Sequence, residues 1–248
     1  MGPIDFNCPN FGRIYVVGDR LHNGHDFAVR SNTRSKVFDY LIFLDSRGIS
    51  SKFEGSIADK LTSTISQMQG TYLLICRPLE LTIWASLSGF LENNRLKPRK
   101  IITNMGFVDF TPKKISILQD VVLQVENVVG KGVAQSVFVE NFNSSSGESI
   151  ALYSSRYNNH YKAAVEKISQ ARPLVIINTP RTDPSIAILR KRPQSFFYAQ
   201  LISNEFNRSI SDAVVVDLPD FDESLTYDAV HYTQQGNEVI FSIIQEYL

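Results

Sequence analysis

The chain has 248 residues, with 25 Lys and Arg side chains, 25 Asp and Glu side chains and a formal net charge of zero. Hydrophobic residues make up 43% of it, a value typical of a globular protein with a sizeable core. The balanced charge predicts neither a nucleic-acid partner nor a surface for anionic membranes. No apolar run approaches the roughly 20 residues that span a bilayer, and the first residues lack a signal-peptide pattern. We therefore expect a cytoplasmic protein.

The residue types that hold metals and cofactors are sparse. The two cysteines, Cys8 and Cys76, predict neither a disulfide framework nor a metal site, and Cys76 lies in an apolar run that predicts a buried thiol. Two histidines in the loop from His22 to Asp26 could join His231 around a metal ion, but their spacing is not diagnostic. No glycine-rich nucleotide loop occurs. We expect no metal and no cofactor.

Strands and helices alternate along the chain. The apolar run Ile14–Val17 ends in Gly18-Asp19-Arg20 and predicts a buried strand followed by a turn. A short helix is expected at 35–40 and a second strand at 40–44, which ends in the turn 45–51. The later pattern predicts strands at 71–76, 100–104, 136–139, 174–178 and 213–217, and helices at 56–69, 79–91, 111–129, 161–170, 196–206 and 239–247.

One segment interrupts this alternation. Residues 141–160 are rich in Ser, Asn and Gly, and predict an irregular surface insertion of the kind that forms lids or binding loops. The rest predicts a single domain over residues 1–248, a three-layer α/β/α sandwich around a mostly parallel sheet of about five or six strands. Ligands of such sheets bind outside the carboxyl ends of the strands, so the turns after the strands are the candidate site.

The most informative of these turns lies before the last helix, at Asp228-Ala229-Val230-His231. A carboxylate three residues before a histidine can accept the Nδ1–H of its ring, which fixes the tautomer and stabilises the imidazolium. Thr233 can cap the helix that follows. We predict that His231 is a general base and that Asp228 orients it.

These turns, in their order, resemble the blocks of the SGNH/GDSL hydrolase family over about the whole chain. Val17-Gly18-Asp19-Arg20 resembles the family's first block, in which Gly-Asp-Ser follows a strand, and the turn at Gly48–Ser51 resembles its second block. The segment Gly106–Asp109 matches part of the third block, Gly-x-Asn-Asp, and Asp228–His231 matches the last. The resemblance implies a flavodoxin-like strand order. It also implies ester hydrolysis or acyl transfer on a carbohydrate or small-molecule ester, through a serine nucleophile.

Two residues depart from that pattern. In this alignment Arg20 stands at the position of the nucleophile and Val108 at that of the asparagine, while Ser51 lies near the position of the second-block glycine. A guanidinium offers no nucleophilic lone pair. Loss of one oxyanion donor typically costs about 100- to 1,000-fold in rate. The extra strand–helix unit at 71–95, before the third block, is a further difference from the family.

Four hypotheses follow. His231 activates water or an acceptor hydroxyl directly, with Arg20 as an electrostatic contact; or the nucleophile has moved to Ser50 or Ser51. Alternatively, the fold has lost catalysis and is a binding or assembly module, or position 20 is an altered residue in an ordinary serine enzyme. The predicted site consists of His231 and Asp228 as catalytic residues, and of substrate-binding residues at the other turns: Asp19, Arg20, Ser50, Ser51, Gly106 and Asp109.

Overall fold

A computed structural model gives the architecture of the chain. The structure describes residues 4–8, 12–16, 22–24, 27–49, 54–76, 83–111, 113–114, 118–129, 138–143, 149–153, 155–183, 185 and 194–248. Structural statements below concern these residues. None of their helices is both long and apolar enough to cross a membrane.

The described residues form strands and helices in alternation. The strands are β1 (Ile4–Cys8), β2 (Gly12–Val16), β3 (His22–Gly24), β4 (Phe27–Ser31), β5 (Val37–Leu44), β6 (Tyr72–Cys76), β7 (Lys97–Thr103), β8 (Lys113–Lys114), β9 (Phe138–Asn143), β10 (Ser149–Tyr153), β11 (Leu174–Ile177) and β12 (Ala213–Val216). The helices are α1 (Ile57–Gln67), α2 (Ile83–Asn94), α3 (Phe107–Phe110), α4 (Leu118–Val129), α5 (Ser155–Ala171), α6 (Gln194–Arg208) and α7 (Gln234–Ile244).

A seven-stranded sheet organises the fold, in the order β12-β11-β7-β5-β6-β4-β3. The strands from β12 to β6 pair in parallel, whereas β4 pairs antiparallel with β6 and β3 antiparallel with β4. Numbered along the chain, the parallel strands have the order 2-1-3-4-5, which is the flavodoxin-like order. The central strand of the seven-stranded sheet, β5, is the first of the five parallel strands in the chain.

Burial on both faces of β5 explains its place at the centre. Side chains alternate between the faces of a strand, so Leu41 and Phe43 pack into one hydrophobic cluster and Ile42 and Leu44 into another. All four side chains are fully buried. The first cluster includes residues of α2, α5 and α6, and the second includes residues of α1 and α7. Helices therefore cover both faces of the sheet, as the sequence predicts.

Several element predictions require correction. The run at 14–17 does not provide the first strand of the parallel sheet, because β2 pairs with β1 in a separate two-stranded sheet. The short helix expected at 35–40 is instead the start of β5, in which aromatic and branched side chains favour an extended chain. The segment 141–160 is not irregular where it is described, since it contains the antiparallel pair β9–β10 and the start of α5. The unit at 71–95 is not an addition, because β6 is the second strand of the parallel set.

Candidate active site

The turn after β5 presents Ser46 at the carboxyl end of the central strand. The chain leaves β5 at Leu44 and enters a single 3-10 turn, Ser46–Gly48. Asp45 caps this turn, because its Oδ1 accepts the backbone N–H of Arg47 at 2.8 Å. Ser46 is half-buried, between the core and solvent. Its backbone N–H makes no hydrogen bond to any residue that the structure describes, so this donor is available to a ligand.

Gly48 lets this turn pack directly on the end of β6. A Cβ atom at Gly48 would lie 2.7 Å from Leu44 Cβ and 2.8 Å from Cys76 Sγ, closer than real Cβ contacts come. Cys76 is a buried thiol outside any disulfide, as predicted, and its Sγ donates to the Asp45 carbonyl at 3.3 Å. The position therefore requires glycine for a close approach rather than for an unusual backbone angle.

The turn before α7 has the geometry predicted for it. Asp228 Oδ1 accepts the backbone N–H groups of Val230 at 3.1 Å and His231 at 2.7 Å, and Oδ2 accepts His231 Nδ1–H at 3.0 Å. Ala229, between them, has a φ of +65°, a conformation that few non-glycine residues adopt. Thr233 caps α7, since its hydroxyl accepts the Gly236 N–H at 3.0 Å. The predicted Asp228–His231 hydrogen bond and the cap are confirmed, and the catalytic role of the pair stays a prediction.

The two turns meet at the carboxyl edge of the sheet. His231 Nε2 lies 3.2 Å from Ser46 Oγ. With its proton on Nδ1, held by Asp228, the ring carries a lone pair on Nε2 that accepts the serine hydroxyl proton. The His231 side chain is 24% exposed and that of Asp228 is 9% exposed. Ser46, His231 and Asp228 thus form a hydrogen-bonded chain with the geometry of a nucleophile, a base and the group that orients the base.

A buried arginine holds the turn Ser46–Gly48 in place. Arg47 is 1% exposed, and its Nη2 donates to Asp45 Oδ2 at 2.7 Å and to the Asn104 carbonyl at 2.6 Å. Its Nη1 donates to the hydroxyl of Thr179. Asp45, Asn104 and Thr179 follow β5, β7 and β11, so the guanidinium joins the carboxyl ends of three neighbouring strands. Sequence reasoning gave Arg47 no role, because a charged residue in a turn is usually exposed.

The charge states around Arg47 are fixed at neutral pH. Burial raises the pKa of the Tyr232 hydroxyl to about 12, although the Arg47 cation opposes this. Burial alone would lower the pKa of Arg47, but the Asp45 carboxylate and the Tyr232 hydroxyl outweigh it, and the pKa is raised. Arg47 is therefore a permanent cation and Tyr232 a neutral phenol, so neither residue exchanges protons with the neighbouring His231.

The third turn has a structural role instead of the predicted substrate contact. Asp109 is fully buried, and its carboxylate accepts the N–H of Gly106 at 2.8 Å and that of Trp84 at 3.3 Å. Gly106, also buried, has a φ of +113°, a backbone conformation that favours glycine. A carboxylate without exposed surface cannot contact a substrate. Asp109 and Gly106 are therefore scaffold residues, and their assignment as substrate-binding residues is corrected.

No side-chain amide stands where the family's third block has its asparagine. That position is Val108, in α3. The nearby Asn104 does not replace it, because its Oδ1 accepts the Asp45 N–H at 2.8 Å and its Nδ2 donates to Asp45 Oδ1 at 2.9 Å. Among the described residues, the Ser46 backbone N–H is thus the clearest donor for an oxyanion. The residues that follow β6, from 77 to 82, lie outside the described residues.

The predicted first and second blocks were placed on the wrong strands. The first strand of the parallel sheet is β5, so the turn after that strand begins at Asp45-Ser46 and not at Gly18-Asp19-Arg20. Gly48 follows the same strand as Ser46, not the second strand of the set. Asp19, Arg20, Ser50 and Ser51 lie outside the described residues. A sequence signal for Ser46 was present, because Asp-Ser directly after the apolar strand at 40–44 has the serine of the Gly-Asp-Ser pattern and lacks only the glycine.

No metal site accompanies these residues in the part of the chain that the structure describes. There, no group of three or more His, Cys, Asp and Glu side chains lies close enough to hold a metal ion. His22 belongs to β3, and His25 lies outside the described residues, so the expectation that this loop holds no metal stays untested.

Comparison with known proteins places esterases among the similar structures. No family model and no curated protein matches the chain. A family two carbohydrate esterase from Clostridium thermocellum, solved in complex with cellohexaose, is 10% identical; the match covers 85% of this chain and 63% of that one, with a TM-score of 0.45. A protein named as a GDSL-like lipase, from Parabacteroides merdae, is 12% identical over 84% of this chain and 94% of that one, with a TM-score of 0.47. An acetyl xylan esterase is 14% identical over 85% of this chain and 99% of its own, with a TM-score of 0.46.

Proposed function

We propose that this protein is a serine ester hydrolase with Ser46 as nucleophile, His231 as general base and Asp228 as the orienting carboxylate. The observation that carries this proposal is the 3.2 Å contact between His231 Nε2 and Ser46 Oγ, on a ring whose Nδ1 donates to Asp228. A serine and a histidine that meet across 185 positions of sequence, at the ligand-binding edge of a parallel sheet, fit nucleophilic catalysis better than a structural hydrogen bond.

Each step of the proposed reaction can be assigned to one of these residues. His231 Nε2 takes the hydroxyl proton as Ser46 Oγ attacks the ester carbonyl, and Asp228 stabilises the imidazolium that forms. The developing oxyanion can accept the Ser46 backbone N–H. His231 then gives its proton to the leaving alcohol, and an acyl-serine remains. Water, activated by the same nitrogen, releases the acid and restores the hydroxyl.

Hydrolysis is proposed ahead of acyl transfer because the base is open to solvent. A quarter of the His231 side chain is exposed, so water can reach the acyl-enzyme. A sugar hydroxyl bound at the same place would give transfer instead, with the same residues in the same roles. Measuring the acceptor that resolves the acyl-enzyme, water or an added alcohol, separates these activities.

Val108 favours a second candidate, a binding module with little or no catalysis. Without a side-chain amide at that position the oxyanion has one donor fewer, which costs about 100- to 1,000-fold in rate. We therefore expect a slow hydrolase on simple esters. Neither candidate function gives Arg20 the position of the nucleophile, because β2, the strand before it, lies in the two-stranded sheet and not in the seven-stranded sheet.

Hydrolysis of p-nitrophenyl acetate by the intact chain, by four Ser→Ala variants and by His231→Ala tests the proposal. Ser46→Ala should abolish turnover, and so should His231→Ala, because each removes one partner of the proton transfer. Ser242→Ala is the matched control, since Ser242 is exposed on α7 and its hydroxyl bonds to its own helix. Loss of activity in Ser50→Ala or Ser51→Ala, with Ser46→Ala still active, would show that the nucleophile has moved and would refute the proposal.

A further inference from the structure

A buried peptide carbonyl lies between the two residues of the Asp228–His231 pair. It belongs to Ala229, which is 2% exposed and has a φ of +65°, a conformation that is unfavourable for most residues other than glycine. Asp228 Oδ1 holds the turn from within, through the N–H groups of Val230 and His231, but a carboxylate cannot donate to a carbonyl. The conformation of this turn therefore depends on a donor from another element.

The side chain of Gln200, on α6, supplies that donor. Gln200 is 2% exposed, and its Nε2 donates to the Ala229 carbonyl at 3.1 Å. No other described residue donates to this carbonyl. The Thr182 hydroxyl lies 3.4 Å from both polar atoms of the Gln200 amide, and a hydroxyl can either donate or accept. The Ala229 carbonyl, which only accepts, therefore fixes the orientation of the amide.

Helix α6 is itself fixed to the edge of the sheet that carries Ser46. One turn of helix after Gln200, the buried amide of Asn204 accepts the N–H of Thr179 at 2.9 Å and donates to the carbonyl of the same residue at 2.7 Å. The Thr179 hydroxyl in turn accepts from Arg47, the residue after Ser46. Residues four apart lie on the same face of a helix. One face of α6 therefore holds the turn of the base and is linked to the turn of the serine.

We propose that Gln200 is a positioning residue, whose amide holds the Ala229 carbonyl and thereby keeps the His231 ring oriented toward Ser46. The inference rests on the proposed function for its effect on rate, whereas its effect on the ring requires no catalysis. Without the amide, the buried carbonyl lacks a donor and its peptide group rotates toward another one. That rotation displaces the N–H groups that Asp228 binds, and with them the hydrogen bond between Asp228 and His231 Nδ1.

Gln200→Met tests this role in the whole chain, because methionine keeps the length of the side chain and removes its N–H groups. In hydrolysis of p-nitrophenyl acetate it should lower kcat about 10- to 100-fold with little change in KM, since a displaced base impairs proton transfer and not binding. Ser169→Ala is the matched control. It removes a hydrogen bond from a buried serine of α5 to the Ser211 carbonyl, at the opposite edge of the sheet, and should leave kcat unchanged. Urea unfolding midpoints show how much stability each variant loses.

NMR chemical shifts of the two ring nitrogens of His231 give a second measurement, which needs no activity. They should show a proton on Nδ1 in the unmodified chain and a mixture of both tautomers in Gln200→Met. Unchanged ring shifts, an unchanged kcat, or an equal loss of kcat in Ser169→Ala would overturn the positioning role, even if Ser46 is the nucleophile.

The two measurements separate this proposal from the proposed function. A mixture of tautomers in Gln200→Met, in a chain without any hydrolysis that depends on Ser46, would support the role of Gln200 in orienting the ring and overturn the hydrolase. If Gln200→Met does not fold, Gln200→Asn takes its place, because its amide is one methylene too short to reach the Ala229 carbonyl. It should change the ring shifts in the same way, and unchanged shifts would overturn the role.

Discussion

Replacing Asp228 by Asn tests whether this carboxylate serves the base or only shapes the turn before α7. Asp228 Oδ1 accepts two backbone N–H groups, whereas Oδ2 accepts His231 Nδ1–H. The carbonyl oxygen of an asparagine can keep the two backbone hydrogen bonds. Its NH₂ group would then face Nδ1, which must become an acceptor, so the ring proton would move to Nε2. A ring protonated at Nε2 cannot take the proton of Ser46.

The expected loss of activity is much larger than the expected loss of stability. Forcing the wrong tautomer of a catalytic histidine lowers kcat by about 10⁴-fold in the serine-protease example, which corresponds to about 5.4 kcal/mol of transition-state stabilisation. The two retained backbone hydrogen bonds change from charged to neutral. That change should lower the free energy of unfolding by about 1–2 kcal/mol.

Steady-state hydrolysis of p-nitrophenyl acetate and urea unfolding, measured on the same preparations, separate these effects. Asp222→Asn is the control, because Asp222 is an exposed carboxylate that accepts from Ser224 in the preceding turn. It should leave kcat unchanged. If Asp228→Asn retained activity within about tenfold of the unmodified chain, the carboxylate would only shape the turn and the role argued for it would be refuted.

Three further predictions concern the scaffold. Arg47→Met leaves the buried Asp45 carboxylate without its cation and should lower the free energy of unfolding by about 3–5 kcal/mol in urea titrations; a loss below about 1 kcal/mol would contradict the network. Gly236→Ala places a Cβ atom 2.1 Å from a backbone carbonyl oxygen and should lower the thermal midpoint of unfolding, through about 1–3 kcal/mol of strain; an unchanged midpoint would contradict that contact. The N–H and hydroxyl of Thr71 lower the pKa of Asp39, so its stabilisation is present above its unfolded pKa and is lost as pH falls through the folded pKa. Asp39→Asn should therefore destabilise the chain at neutral pH and progressively less in acid, whereas a difference in stability that does not change with pH would contradict this.

Local patterns predicted the parts of the site that lie close together in sequence. Asp228 and His231 are three residues apart, so one turn brings them together and their spacing alone indicates the pair. Thr233 as a cap, and α1 and α7 as amphipathic helices, follow from equally local patterns.

The position of the serine turn depends on which apolar run enters the parallel sheet, and on this point the sequence was misleading. An apolar run before Gly18-Asp19 and another before Asp45-Ser46 are both compatible with the first strand of a parallel sheet. Pairing selects between them, since β2 pairs with β1 while β5 pairs with β6 and β7. Nucleophilic hydrolysis by a serine requires a hydroxyl group, and Ser46, which carries one, follows β5. If the serine of the Gly-Asp-Ser pattern had been given more weight than its glycine, the sequence alone would have indicated Ser46 as the candidate nucleophile.

The identity of the covalent nucleophile tests the central claim most directly. A fluorophosphonate should react with the unmodified chain, and mass spectrometry of its peptides should locate a single adduct on Ser46. The adduct should be absent from Ser46→Ala and strongly reduced in His231→Ala, while Ser242→Ala should label as the unmodified chain does. No adduct, or an adduct on another residue that persists in Ser46→Ala, would contradict the assignment of Ser46 as the nucleophile.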